Sequence, residues 1–109
     1  MTTYLIKRER TITRQEGDVA DVVFTVPNIF NLVGKTIKFK VYTYAKEEIL
    51  ELSSGNGITV DTQTITCLLS PSLLVGYAGK HRWELEASDI TGPITIGKGD
   101  FIVTGENIT

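Results

Sequence analysis

With 109 residues, 12.0 kDa, 41% hydrophobic and 22% charged residues, the chain has room for one domain around one core, and its composition is neither that of a disordered polymer nor that of a membrane protein. A formal charge of -2 and a pI near 5.3 argue against a nucleic-acid binder that must neutralise several phosphates. A single cysteine, Cys67, excludes an internal disulfide and a cysteine metal cage.

The chain opens on Met1-Thr2-Thr3-Tyr4, with no basic segment running into an apolar stretch, so no secretory signal is expected and the product is expected to be made in a cytoplasm. No apolar run approaches the roughly 20 residues of a membrane span. Residues Thr3 to Thr13 mix Tyr4, Ile6 and Ile12 with threonine and charge, which suits an edge strand or two short ones. The Lys7-Arg8-Glu9-Arg10 run reads as a solvated edge whose charges discourage unwanted pairing. Gln15-Glu16-Gly17-Asp18 predicts a turn.

From Val19 to Val26, Ala20, Val22, Phe24 and Val26 fall on one face with Val23 and Thr25 on the other, the pattern expected of a central strand, which Pro27 ends by removing a donor. Asn28 to Gly34 is a loop whose Ile29, Phe30 and Leu32 are expected to tuck beneath the sandwich. Lys35 to Tyr44 alternates cleanly, with Ile37, Phe39 and Val41 inward and Lys38, Lys40 and Tyr42 outward. Ala45 to Glu48 is a polar turn, and Ile49 to Leu52 begins the next strand.

Ser53 to Gly57 closes that strand, Ile58-Thr59-Val60 follows, Asp61-Thr62-Gln63 turns the chain, and Thr64 to Leu69 runs back with Ile65, Cys67 and Leu69 on one face. Ser70-Pro71 is a helix-start signal, and Leu73, Leu74 and Tyr77 supply a short apolar face, predicting one helical turn or two near 70–77. His81 to Ala87 resumes alternation, with Trp83 as core anchor and Arg82, Glu84 and Glu86 outward. Asp89 to Pro93 turns, and Ile94, Ile96, Phe101 and Val103 form a last strand, with a bulge or corner expected at Gly97-Lys98-Gly99. The prediction is a single all-β domain over residues 1–109, an antiparallel sandwich of about seven to eight strands with one short helical turn.

No catalytic constellation accompanies these strands, and the reading is of a non-enzymatic chain without cofactor or metal. Gly34-Lys35-Thr36 lacks the earlier glycine of a phosphate loop, since Ile29 stands there, and a strand rather than a helix follows. His81, the only histidine, has Glu84 and Glu86 on the opposite face of its strand. Asp18, Asp21 and Asp61 lie near turns without calcium-loop spacing. Cys67 alternates with apolar neighbours and reads as a buried, inert thiol. Asn107-Ile108-Thr109 matches a glycosylation acceptor that a cytoplasmic product does not present to the machinery.

Several pieces, in order, resemble one family. They are Arg14, Gly17-Asp18 and Val22 to Val26; Asn31 to Val41, with Val33 where threonine is usual; Gly55-Asn56-Gly57-Ile58; Ala78-Gly79-Lys80 leading to Leu85; and Gly99 to Val103. Together they resemble the short immunoglobulin-like domains of tailed bacteriophages typified by the N-terminal domain of the baseplate upper protein. The resemblance implies an immunoglobulin-like β-sandwich that docks to other phage structural proteins, in several copies, in a virion assembled in the host cytoplasm, as part of a tail, baseplate or tail fibre. It implies no catalytic residue, no cofactor, no nucleic acid and no membrane insertion. Lys38, Lys40, Tyr42 and Tyr44 are the expected partner contact. The competing expectation is a head decoration or host-surface carbohydrate-binding domain in which Tyr42, Tyr44 or Tyr77 stacks on glycan rings.

Overall fold

The computed structural model describes residues 11–15, 21–26, 32–69, 74 and 76–105. Strands form where apolar and polar residues alternate: β1 (Ile12–Gln15), β2 (Val22–Thr25), β3 (Thr36–Tyr42), β4 (Glu48–Ser54), β5 (Gly57–Asp61), β6 (Thr64–Cys67), β7 (Gly79–Asp89) and β8 (Gly92–Thr104). All eight belong to one sheet in the order β1-β8-β7-β3-β4-β5-β6-β2. At about 3.3 Å per residue, the 13 residues of β8 account for most of the molecule's 46 Å long axis, against 24 and 21 Å across.

The sheet does not lie open. Phe24 of β2 and Trp83 of β7 are five strand steps apart, with β6, β5, β4 and β3 between their strands in the sheet order. Their rings nevertheless sit 5.2 Å apart, and Phe24 also lies 6.0 Å from Phe39 of β3. The β5-β6-β2 part has therefore folded over the β3-β7-β8 part as the second layer of a sandwich. The bend occurs between β4 and β5, where Gly55-Asn56 kinks the chain and Ser53 and Ser54 come alongside Gly57 and Ile58. Glycine is required at 57, since its φ is +96° and a Cβ there would stand 2.7 Å from Leu52 Cδ2.

The inner surface is continuous: Val22, Ile37, Phe39, Val41, Leu50, Leu52, Ile58, Ile65, Cys67, Trp83, Leu85, Phe101 and Val103 are all buried, as are Leu32, Leu69 and Leu74 from the connections. No polar or charged residue is buried among the described residues. At the end of the β7–β8 hairpin the Asp89 carboxylate accepts from Thr91 N at 2.8 Å and from the Thr91 hydroxyl, and Gly92 follows with φ +117°. An aspartate opening the turn and a glycine closing it is the chemistry a short hairpin needs.

The structure alters several sequence expectations. Among the described residues β2 pairs only with β6 and stands at the end of the sheet order, where a central strand was expected. β1 runs through Gln15, where a turn was expected, and pairs parallel to β8. The hairpin turn narrows to Ile90-Thr91, with Pro93 already in β8. The bulge lies at Ile96, between the Leu85↔Gly97 and Glu86↔Thr95 register pairs, not within 97–99. Gly97 answers a different need: a Cβ there would meet the Trp83 ring at 3.0 Å. Of the predicted helical turn, Tyr77 N donating to Leu74 O at 3.1 Å is described, and the rest lies outside the described residues, as do the expectations for residues 1–10, 16–20, 27–31 and 106–109.

Two outcomes follow from this packing. Trp83, 1% exposed at the centre of the aromatic cluster, should cost about 3–5 kcal/mol when replaced by alanine, read as a lower urea midpoint with the slope unchanged. Burial pushes the Cys67 thiol up to about 12, so it should ignore a disulfide reagent at neutral pH and react within the dead time once the chain is unfolded in urea.

Candidate functional site

β3 and β7 pair in register, which sets Lys38, Lys40 and Tyr42 opposite Glu86, Glu84 and Arg82 on the outer face of the sheet. β8 adds Asp100 opposite Arg82 and Lys98 opposite Glu84, and β4 adds Glu51 opposite Lys40. Charges thus alternate in sign from strand to strand. Lys38 Nζ reaches Glu51 Oε2 at 3.5 Å and Lys40 Nζ reaches Glu86 Oε1 at 3.8 Å, both diagonally. Solvent-accessible pairs of this kind contribute about 0–1 kcal/mol each, so their main effect is to fix register and to neutralise the face.

Tyr44 comes from the β3–β4 turn, where the Thr43 hydroxyl accepts from Ala45 N and Glu47 N and Lys46 takes a φ of +70°. That turn carries the phenol across to β8, where its hydroxyl donates to Asp100 Oδ1. Arg82 Nη1 donates to the same oxygen at 3.0 Å, and Lys80 Nζ lies 3.6 Å from Oδ2. The Tyr44 hydroxyl first, then Arg82 and Lys80, hold the Asp100 carboxyl below the usual carboxylate range. The same bond raises Tyr44 above the ordinary phenol value, and burial followed by the Glu84 charge raises Tyr42. Asp100 is therefore an ionised anchor with its acceptor sites engaged, unsuited to taking a proton from a substrate.

The four residues singled out in the sequence do share one face, and the structure supplies their partners: Glu51, Glu86, Arg82, Glu84 and Asp100. The outward alternation of Arg82, Glu84 and Glu86 was visible in the sequence, but which lysine each met depended on register. Tyr44 remains 56% exposed. Tyr77 lies elsewhere. It meets the His81 ring edge-on at 6.5 Å, and its carbonyl lies 2.7 Å from His81 Nε2. His81 and Arg82 point to opposite faces of β7, so Tyr77 and Tyr44 do not line one groove. Lys35 pairs with Asp89 at 2.9 Å, which ties the Gly34 loop to the β7–β8 hairpin. Among the described residues no three histidine, cysteine, aspartate or glutamate side chains gather as a metal site.

A second feature had no sequence signal. Among the described residues the curled sheet stops short of closure, and a cavity of about 260 Å³ lies between β1 and β2, lined by residues 11–14, residues 22–24 and Trp83. Arg14 bridges the gap, with Nη1 donating to Thr13 O and Nη2 to Asp21 O, each at 2.8 Å. Its Nε is buried without an acceptor.

No family model and no curated protein matches the chain. Among solved structures it is similar to part of a protein from Bacteroides vulgatus described as a candidate glycoside hydrolase, with a TM-score of 0.54, 17% identity, and coverage of 88% of this chain. The chain spans only 17% of that protein's length. It is also similar to CopC from Methylosinus trichosporium, with a TM-score of 0.50, 14% identity and 90% of each chain covered. A third likeness is to the extracellular domain of the voltage-gated sodium channel beta4 subunit, with a TM-score of 0.51 and 12% identity, covering 95% of this chain and 90% of that one. At these identities the likeness is one of fold: an immunoglobulin-like β-sandwich.

The carboxylates give this face a pH signature. Asp89 is held well below its ordinary value by the Thr91 hydroxyl and then Lys35, and Asp100 by Tyr44 and then Arg82. Both folded values lie below the unfolded one, so their stabilisation is present above the unfolded value of about 3.9 and is lost as pH falls through the folded values. Tyr44→Phe should move the Asp100 titration midpoint upward in a carboxyl-carbon NMR titration, leaving Asp89 where it was.

Proposed function

We propose that this chain is a non-enzymatic structural or adaptor domain of a tailed-phage virion, associated with the tail, baseplate or fibre, and that it works by binding neighbouring protein chains. The observation that carries this reading is the treatment of charge and edge. On the outer face Lys38, Lys40, Lys80 and Arg82 pair with Glu51, Glu86 and Asp100, while the end strands β1 and β2 each pair on one side only among the described residues. A neutralised face with an exposed tyrosine suits contact with another protein surface, and an open edge suits β-addition.

The resemblance supports the same reading through the places its pieces occupy. Gly55 to Ile58 is the bend between layers, Gly79-Lys80 begins β7, and Gly99 to Val103 lies within β8 beside β1. These are the joints that shape the sandwich. Lys38, Lys40, Tyr42 and Tyr44 are the proposed contact face, with Tyr44 its most accessible aromatic ring. The glycan reading, as head decoration or host-surface binder, keeps Tyr42 and Tyr44, which share the outer face, and loses Tyr77, which lies beside His81 on the opposite one.

Mass spectrometry and cryo-EM of purified particles test the proposal. The chain should be present at a stoichiometric copy number, and Tyr44→Ala combined with Lys40→Glu should lower its incorporation at least severalfold while the isolated domain still folds. Absence from purified particles overturns the virion role.

A further inference from the structure

The seam between β1 and β2 is the place where the sheet falls short of closing on itself. We infer that it is a receptor groove for an extended peptide segment of a partner protein, with an acidic side chain on that segment meeting Arg14. This inference deepens the adaptor reading by naming the kind of partner, but it requires only that the partner be a polypeptide.

Three observations carry it. The two walls are strand edges: β1 pairs with β8 and β2 with β6, and neither has a second strand partner among the described residues. Their remaining backbone groups are the donors and acceptors that an added strand uses. Ile12, Val22, Phe24 and Trp83 form the floor, beneath an accessible lining that is more polar than apolar. At about 260 Å³ the cavity falls below the roughly 300–1,000 Å³ of small-molecule pockets, and Trp83 is too buried to serve as a stacking platform for a sugar. It suits one or two side chains of an extended strand, which recur on one face about every 6.6 Å.

The third observation is charge. The lining residues 11–14, 22–24 and 83 include Arg14 and no carboxylate. Arg14 donates once from each Nη, to the carbonyls of Thr13 and Asp21 on either side of the gap, and leaves a buried Nε with no acceptor. An unmet buried donor is costly, and a carboxylate is the acceptor that best fits the edge of this half-buried guanidinium. The groove thus asks for apolar side chains at alternate positions and one acid near the Arg14 end.

The test uses the full chain as bait against a yeast-displayed library of random dodecapeptides, followed by titration of a synthetic winner. The expected winners alternate apolar residues and carry one aspartate or glutamate. A bound winner should slow amide exchange at 12–15 and 22–25. Replacing its acid by the matching amide should weaken binding at least tenfold to the native protein and have little effect on Arg14→Gln. The peptide change leaves the protein's folding untouched, so the comparison stands even if Arg14→Gln is unstable. Winners without acidic preference, or protection confined to the outer face of β3 and β7, overturn the inference. So does concentration-dependent dimerisation that protects 12–15 and 22–25 without peptide, because a second copy is then the occupant. None of these readouts depends on where the chain resides, so failure here is distinguishable from failure of the virion role.

Discussion

The structure depends on four aromatic rings meeting across two layers. Phe24, Phe39, Trp83 and Phe101 come from β2, β3, β7 and β8, with neighbouring centroids 5.2 to 6.2 Å apart in tilted arrangements. Such pairs contribute about 0.5–1.5 kcal/mol beyond the area they bury, and they bury a great deal. Hydrogen bonding alone would leave an open eight-strand sheet with one face of apolar residues in water. The aromatic contacts are what make it profitable for β2 to lie over β3 and β7, and every later feature follows from that closure.

Because one surface of the sheet is turned inward, the charge of β3, β4 and β7 is left on the other. The alternating lysines and glutamates of β3, β4 and β7 therefore form a ladder whose members neutralise one another, and Tyr44 and Asp100 finish it at one end. The closure is also incomplete: the sheet curls far enough for Phe24 to touch Trp83 but leaves a gap that Arg14 spans with a side chain where a strand ladder would otherwise run. A satisfied face and an unsatisfied seam are thus two results of one fold. The face carries the ion pairs of β3, β4 and β7, and the seam holds the strand edges that lack a second partner among the described residues.

Particular elements show what was readable in advance. Period-two alternation placed Ile37, Phe39 and Val41 inside and Lys38, Lys40 and Tyr42 outside, and burial agrees at each. It placed Ile65, Cys67, Trp83 and Leu85 inside with equal success, because alternation on a half-buried strand is a local property of the pleat. Turn chemistry was nearly as legible at Gly55 to Gly57 and at the Asp89 hairpin. The failures were of another kind. β2 was read as central from its rich apolar content, yet a strand at the sheet's end can be equally apolar when a second layer covers it. The Gly97-Lys98-Gly99 run was read as a bulge, while the extra residue is Ile96 and Gly97 makes room for the Trp83 ring.

From its order of residues alone this chain determined an all-β domain, the inward and outward faces of most strands, a buried unreactive thiol at Cys67 and a tryptophan at the core. Those are consequences of side-chain chemistry meeting a two-residue period, and they need no knowledge of neighbours. Only the tertiary structure decided that β1 joins β8 in parallel, that Lys40 meets Glu86 while Tyr44 reaches Asp100, and that a cavity opens beside Arg14. Each of these joins segments far apart in the chain, and strand pairing over such distances is chosen by how the whole apolar surface can be covered at once, a condition that no local stretch of sequence expresses.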